Sequence, residues 1–170
     1  MNTEDNILDE KLQSFLVSHK EGVTNYIHRT DRIEVAQKII GEGFRFTDSF
    51  HKTTDEVVNN PNYLRFWLRA RSYYGKYIIV ISFSTSIVRS YIQELKGQSL
   101  SRVEVYQVLT DEEPYFDDEE NEIFTLPHKY IKGYFNTETG EEVLNEDYDP
   151  FYDSPNFKKN IQILKDTLNK

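Results

Sequence analysis

The segment Tyr77-Ile78-Ile79-Val80-Ile81-Ser82-Phe83 is apolar at alternating and at intervening positions, so an extended chain there has no face suited to water. It reads as a central strand covered on both sides. Its unbroken apolar part, Tyr77 to Ile81, is far shorter than the ~20 residues that a membrane-spanning helix needs. The start of the chain has no basic segment followed by an apolar one, the pattern of a secretory signal. With no cysteine in 170 residues, disulfides and thiolate metal sites are excluded. A cytoplasmic location without membrane association is therefore expected.

Around that strand, apolar periodicity marks the other elements. Leu8, Leu12, Phe15 and Leu16 predict a helix over about 4–17, flanking the core as a lid or cap. Val23 to His28 reads as a strand. Asp31 with Glu34 is a capping-box pattern that opens a helix carrying Ile33, Ala36 and Ile40 and stopping at Gly41 and Gly43. Phe44 to Phe50 is expected to be extended, and Thr53 with Glu56 repeats the capping pattern. Asn60-Pro61 offers a further helix start. Ile87, Tyr91 and Leu95 predict a helix ending at Gly97. Val103 to Leu109 alternates like a strand, and 123–126 and 129–135 are extended pieces separated by Pro127. Asn136 to Gly140 has turn chemistry, a loop runs on to Asp153, and Ser154-Pro155 opens a last helix over about 155–168. The length suits one domain, 1–170. The mixed order of strands and helices favours an α+β fold over a doubly wound parallel sheet.

The net charge of −9, from 29 acidic and 20 basic residues, argues against a surface that grips DNA non-specifically. The 12 Tyr and 11 Phe supply core, and rings that can stack on a planar ligand. His19, His28, His51 and His128 lack any close ligand spacing, so no metal site is read. The acidic run 111–122 lacks the glycine and oxygen positions of a calcium loop.

Three short motifs occur in order: Tyr26-Ile27-His28-Arg29-Thr30 before an amphipathic helix and Gly43-Phe44; Phe50-His51-Lys52-Thr53-Thr54-Asp55; and Glu120-Asn121-Glu122-Ile123-Phe124-Thr125-Leu126-Pro127. Together they resemble the ADP-ribosyltransferase superfamily, whose first strand ends on a histidine or arginine and whose later motifs are Ser-Thr-Ser and Glu-x-Glu. The second motif here lacks the first serine. The resemblance implies a mixed or antiparallel sheet core with flanking helices, and NAD as substrate. His28 would meet the adenosine ribose in one branch, and Arg29 the NAD phosphates in the other. Strand alternation allows only one of the two into a given cleft. The resemblance also places Thr30, Thr53 and Thr54 beside NAD, and Glu122 at the nicotinamide ribose. Glu120, two residues away on an extended chain, would then point to the same side and position an acceptor, whether protein or nucleic acid.

The chemistry requires a carboxylate to stabilise an oxocarbenium-like state and a ring on the nicotinamide. Tyr73, Tyr74 and Tyr77 flank Gly75, and Tyr74 is the candidate ring. Glu104 is a rival carboxylate. Plainer readings stand beside these: a strand end for His28 and Arg29, a helix cap for Thr53 to Glu56, and a solvated acidic loop for 111–122. Two other functions remain open. One is an acidic interaction or inhibitor module on the same fold, with Tyr115-Phe116-Asp117-Asp118 entering a partner's basic cleft. The other is a small metal-independent RNase built on His28.

Overall fold

A computed structural model of the chain describes residues 3–16, 22–47, 50, 53–57, 75–96 and 102–168. The apolar run forms strand β4 (Tyr77–Ser84), with all eight residues buried. On one edge it pairs antiparallel with β1 (Val23–Thr30) through eight consecutive partners, from Val23 opposite Ser84 to Thr30 opposite Tyr77. On the other it pairs antiparallel with β7 (Ile131–Asn136), with a register shift between Val80 and Ile81. Two short strands close the edges, β3 (Asp55–Glu56) on β1 and β8 (Glu142–Leu144) on β7. The sheet order is β3-β1-β4-β7-β8.

Each face of β4 meets its own apolar layer, which is why the run lacks a polar parity. Ile78 and Val80 join Ile27 and Phe135 beneath Leu12, Phe15 and Leu16 of helix α1 (Thr3–Leu16). The opposite parity, Tyr77, Ile79, Ile81 and Phe83, belongs to the larger core. Into that core pack α2 (Ile33–Glu42), α3 (Thr85–Glu94), α4 (Arg102–Val108) and α5 (Pro155–Leu168). A second antiparallel sheet, β2-β6-β5, runs through Phe44–Phe46, Glu122–Leu126 and Tyr115–Phe116. The architecture is α+β, as expected.

Local signals were overruled in several places. Val103 to Leu109, read as a strand, is helical over Arg102–Val108. Its alternating valines fit period two, but Val105, Tyr106 and Leu109 are all buried on one helical face. There Tyr106 stacks on Phe50 at 4.5 Å and exchanges a hydroxyl hydrogen bond of 2.9 Å with Tyr26. Tertiary packing thus outweighs β propensity. Thr53 to Glu56 caps no helix: Asp55 and Glu56 pair with Ile27 and Tyr26, and the Thr54 hydroxyl donates to the Phe50 carbonyl at 2.7 Å. The Asp31–Glu34 box is not formed either. Helix α2 begins after Arg32 without a side-chain cap, and the Arg32 amide donates to Thr30 Oγ1 at 3.2 Å. In addition, β8 occupies part of the stretch expected to be loop, and the strand expected over 129–135 begins only at Ile131, after a 3-10 turn at His128–Tyr130. Of the extended piece expected from Phe44 to Phe50, the strand covers Phe44–Phe46, while Phe50 is in a 3-10 turn. The helix expected from Asn60-Pro61 lies outside the described residues.

Helix α2 runs through Gly41 and stops at Gly43, whose φ is +96°. A Cβ on Gly43 would stand 2.1 Å from the Leu126 carbonyl oxygen, whereas one on Gly41 would meet nothing within 4 Å. Gly43→Ala should therefore lower the unfolding free energy by about 2 kcal/mol or more, the sum of positive-φ strain and displacement of β6. Gly41→Ala should raise it by up to ~1 kcal/mol through helix propensity. Urea titration of the two variants measures both signs.

Candidate functional site

Pairing with β4 fixes the faces of β1. Tyr26, His28 and Thr30 point into the larger core side, opposite Ile81, Ile79 and Tyr77, whereas Ile27 and Arg29 point toward the α1 side. His28 is half-buried, its ring edge-on to Phe44 with centroids 5.0 Å apart. Its Nδ1 lies 2.8 Å from the Thr53 backbone carbonyl. A carbonyl only accepts, so the proton sits on Nδ1 and the neutral ring presents Nε2 as an acceptor. Burial holds the His28 pKa below the ordinary imidazole value of 6.5, outweighing the Thr53 bond, which acts in the other direction. No hydrogen bond to Nε2 is made among the described residues.

Arg29, on the other face, is engaged by the backbone. Its Nε donates to the Gly75 carbonyl at 3.0 Å, and Nη2 donates to the same oxygen. Gly75 is a residue whose role the sequence did not disclose. Its φ is +101°, and a Cβ there would stand 2.3 Å from the Thr30 carbonyl carbon. A glycine two residues before the core strand is the only local hint of this crossing.

Of the other expected contacts, Thr30 accepts from the Arg32 amide through its side chain, and Thr53 contributes its main-chain oxygen. Thr54 is buried against Phe50. Tyr77 shares the His28 face and meets Tyr134 edge-on at 5.7 Å. Tyr73 and Tyr74 lie outside the described residues. The structure thus gathers His28, Thr30, Thr53 and Tyr77 at one end of the sheet and sends Arg29 to the opposite face.

The two glutamates are elsewhere. Glu122 opens β6 opposite Phe116, and Glu120 lies in the preceding turn with φ +64°. The extended geometry that would align their side chains is therefore absent. Within that turn Asp117 accepts from the amides of Asn121 and Glu119, which holds its carboxyl below the usual carboxylate range. Glu122 lines a cavity of about 690 Å³ between the 107–114 segment, β6 and α5. His28, Arg29, Thr30, Thr53 and Thr54 are not among its walls. Phe44 pairs with Leu126, four strand positions from Glu122, so Glu122 and the His28 end of β6 are separated by about 13 Å. Glu104 falls on α4 rather than on a strand. Asn156, Lys159 and Asn160, which line the cavity from α5, went unnoticed in the sequence. Their one signal was the i, i+4 spacing of two asparagines on a helix otherwise read for its apolar face.

Among the described residues no group of three His, Asp or Glu side chains is placed to hold a metal. His128 instead meets Asp147 at 3.1 Å. Among them, too, no helix is long and apolar enough to cross a membrane.

The depressed His28 pKa has a defined sign in stability. Between the folded value and 6.5 the unfolded chain binds the proton that the folded one refuses. This contribution is intact above about pH 6.5 and is lost as the pH falls from there through the folded pKa. Unfolding free energies measured between about pH 7.5 and 5 should decline more steeply for the wild type than for His28→Gln, which keeps a hydrogen-bonding side chain and cannot titrate. Parallel curves would contradict a buried neutral ring.

Comparison with family models, curated proteins and solved structures yields no match for the chain.

Proposed function

We propose that this domain binds NAD with His28 at a ribose and splits the nicotinamide–ribose bond, acting as an ADP-ribosyltransferase or NAD glycohydrolase. The observation that carries the reading is the state of His28. It is a neutral imidazole on the inner face of β1, with Nδ1–H committed to Thr53 and Nε2 left as an acceptor. A ribose hydroxyl is a fitting donor to that nitrogen, as in the histidine branch of the superfamily that the motifs resemble. The arginine branch is less well supported, because Arg29 is bound to the Gly75 carbonyl on the opposite face.

Loss of nicotinamide leaves positive charge on the ribose, and a fixed carboxylate lowers the energy of that state. Glu122 is the carboxylate of the resemblance. About 13 Å of strand lies between it and the His28 end of β6. The two residues thus suit different sugars of one extended dinucleotide, His28 the adenosine ribose and Glu122 the nicotinamide ribose. Water or an acceptor nucleophile on a protein or nucleic acid would complete the transfer.

A second reading is a non-catalytic interaction module on the same fold. It is favoured by one observation, that His28 is not among the walls of the cavity that Glu122 lines.

Titration calorimetry with NAD and chromatography of released nicotinamide separate the two. Under the leading reading the wild type binds and releases. His28→Ala weakens NAD binding by about tenfold, the worth of one hydrogen bond. Glu122→Gln lowers turnover by on the order of 10²–10³-fold with binding largely kept, and Glu104→Gln changes little. Equal release from wild type and Glu122→Gln removes Glu122 from the mechanism, and absence of both binding and release leaves the interaction module.

A further inference from the structure

The groove that Glu122 borders has a character of its own. Val108, Phe124, Ile163 and Leu164 supply apolar surface, with Ile163 54% exposed. Asp111, Glu112, Glu113 and Glu122 face it against one cation, Lys159. Among the described residues Glu112, Glu113 and Glu122 form no hydrogen bond or ion pair through their carboxylates. The turn at 117–120 adds four more acidic residues beyond the Glu122 end. Unpartnered like charges beside exposed apolar surface cost stability in the free protein, and a cationic occupant would relieve both conditions.

The walls are also tied together. Asn160 Nδ2 donates to the carbonyls of Val108 and Thr110, each at 2.9 Å, fastening α5 to the end of α4. The Tyr152 hydroxyl donates to Asp111 Oδ2 at 2.6 Å. A groove braced in this way loses little conformational freedom on binding. Its volume, about 690 Å³, holds several side chains rather than one ion, and its charge repels a phosphate backbone.

We propose that this groove docks a basic, amphipathic segment of a partner protein. Apolar side chains of the segment seat against Phe124, Ile163 and Leu164, and its lysines or arginines meet Glu112 and Glu113. The groove shares Glu122 with the NAD reading, but the proposal uses none of that chemistry and would survive its failure.

The test uses the full chain and fluorescent peptides of about 14 residues, roughly four helical turns with one apolar stripe. One has leucine and lysine in amphipathic order, one has the same composition scrambled, and one has glutamate in place of lysine. The ordered leucine–lysine peptide should bind with an affinity that falls as salt rises. The scrambled peptide should bind at least several-fold more weakly, and the glutamate peptide not at all. E112K/E113K should weaken binding at least tenfold and Ile163→Gln several-fold, with thermal unfolding no lower than the wild type's because all three side chains are exposed. A control reversal at exposed carboxylates outside the groove, E138K/E146K, should leave affinity within about twofold. Equal loss in the control would reduce the effect to net charge and overturn the site. Equal binding of ordered and scrambled peptides would overturn the amphipathic occupant. Sedimentation showing a wild-type dimer that Ile163→Gln dissociates would assign the groove to a second copy of the chain and overturn the proposal.

Discussion

The rest of the molecule depends on the double burial of β4. A strand with eight buried residues has to place apolar layers on both faces and hydrogen-bonded strands on both edges, and each requirement is met by a different part of the chain. The edges are taken by β1 and β7, far apart in sequence. The outer face is taken by α1, whose last turn is closed from the sheet: Lys132 of β7 donates to the Phe15 carbonyl at 2.6 Å and lies over its ring. Burial lowers the Lys132 pKa. The amine nevertheless satisfies a helix-end carbonyl, and its charge opposes the negative end of the helix dipole. The α1 helix, expected as a lid or a cap on the core, is thereby one of the core's walls.

Register then decides chemistry. Because β1 pairs with β4 without a bulge, the parity that buries Tyr26 also directs His28 to the same side, and Arg29 must go to the other. A one-residue slip would exchange the two side chains and turn Ile27 away from the α1 layer it packs against. The face of the histidine is thus held by the apolar core and needs no interaction of its own. What distinguishes His28 from Tyr26 on that face is depth. Tyr26 is enclosed by Phe50, Phe83 and Tyr106, while His28 sits nearer the strand end, where Thr53 and Phe44 cover only part of the ring.

The elements legible in the sequence were those whose signal and burial coincide. The two-parity run of β4, the amphipathic faces of α2, α3 and α5, and the Asn136–Gly140 turn each follow from local pattern. The failures share a cause, which is that a short local signal competed with long-range pairing. Thr53 to Glu56 has the composition of a helix cap, yet the edge of β1 offers hydrogen bonds that only the folded chain brings near. Val103 to Leu109 alternates, yet the aromatic pocket around Phe50 accepts Tyr106 from a helix. The candidate site divides in the same way. The choice between His28 and Arg29 followed from parity once the strand was recognised, but its direction needed the sheet's pairing. The bracing of α5 by Asn160, and the Gly75 carbonyl beneath Arg29, join residues 50 and 46 positions apart, separations at which no sequence pattern is diagnostic.

The abundance of tyrosine and phenylalanine reads first as core material and second as a supply of rings for a planar ligand, and the packing uses many of them as core. Tyr26, Phe50, Phe83 and Tyr106 form a closed cluster, Phe46 stacks on Phe124 at 5.7 Å, and Tyr130, Tyr152 and Phe157 form another group beside α5. Phe50 joins the larger sheet to the smaller one, meeting Tyr26 and Phe83 of the first and Phe44 and Phe46 of the second, and the His28–Phe44 contact does the same. Edge-to-face and stacked rings resist sliding more than aliphatic contacts do, because their geometry is specific. The aromatic layer therefore fixes β6 relative to β1, and with it the spacing between Glu122 and the His28 end of the sheet. Under the proposed NAD reading that spacing is set by the core, so a substitution at Phe46 or Phe124 would lower turnover without touching either polar group.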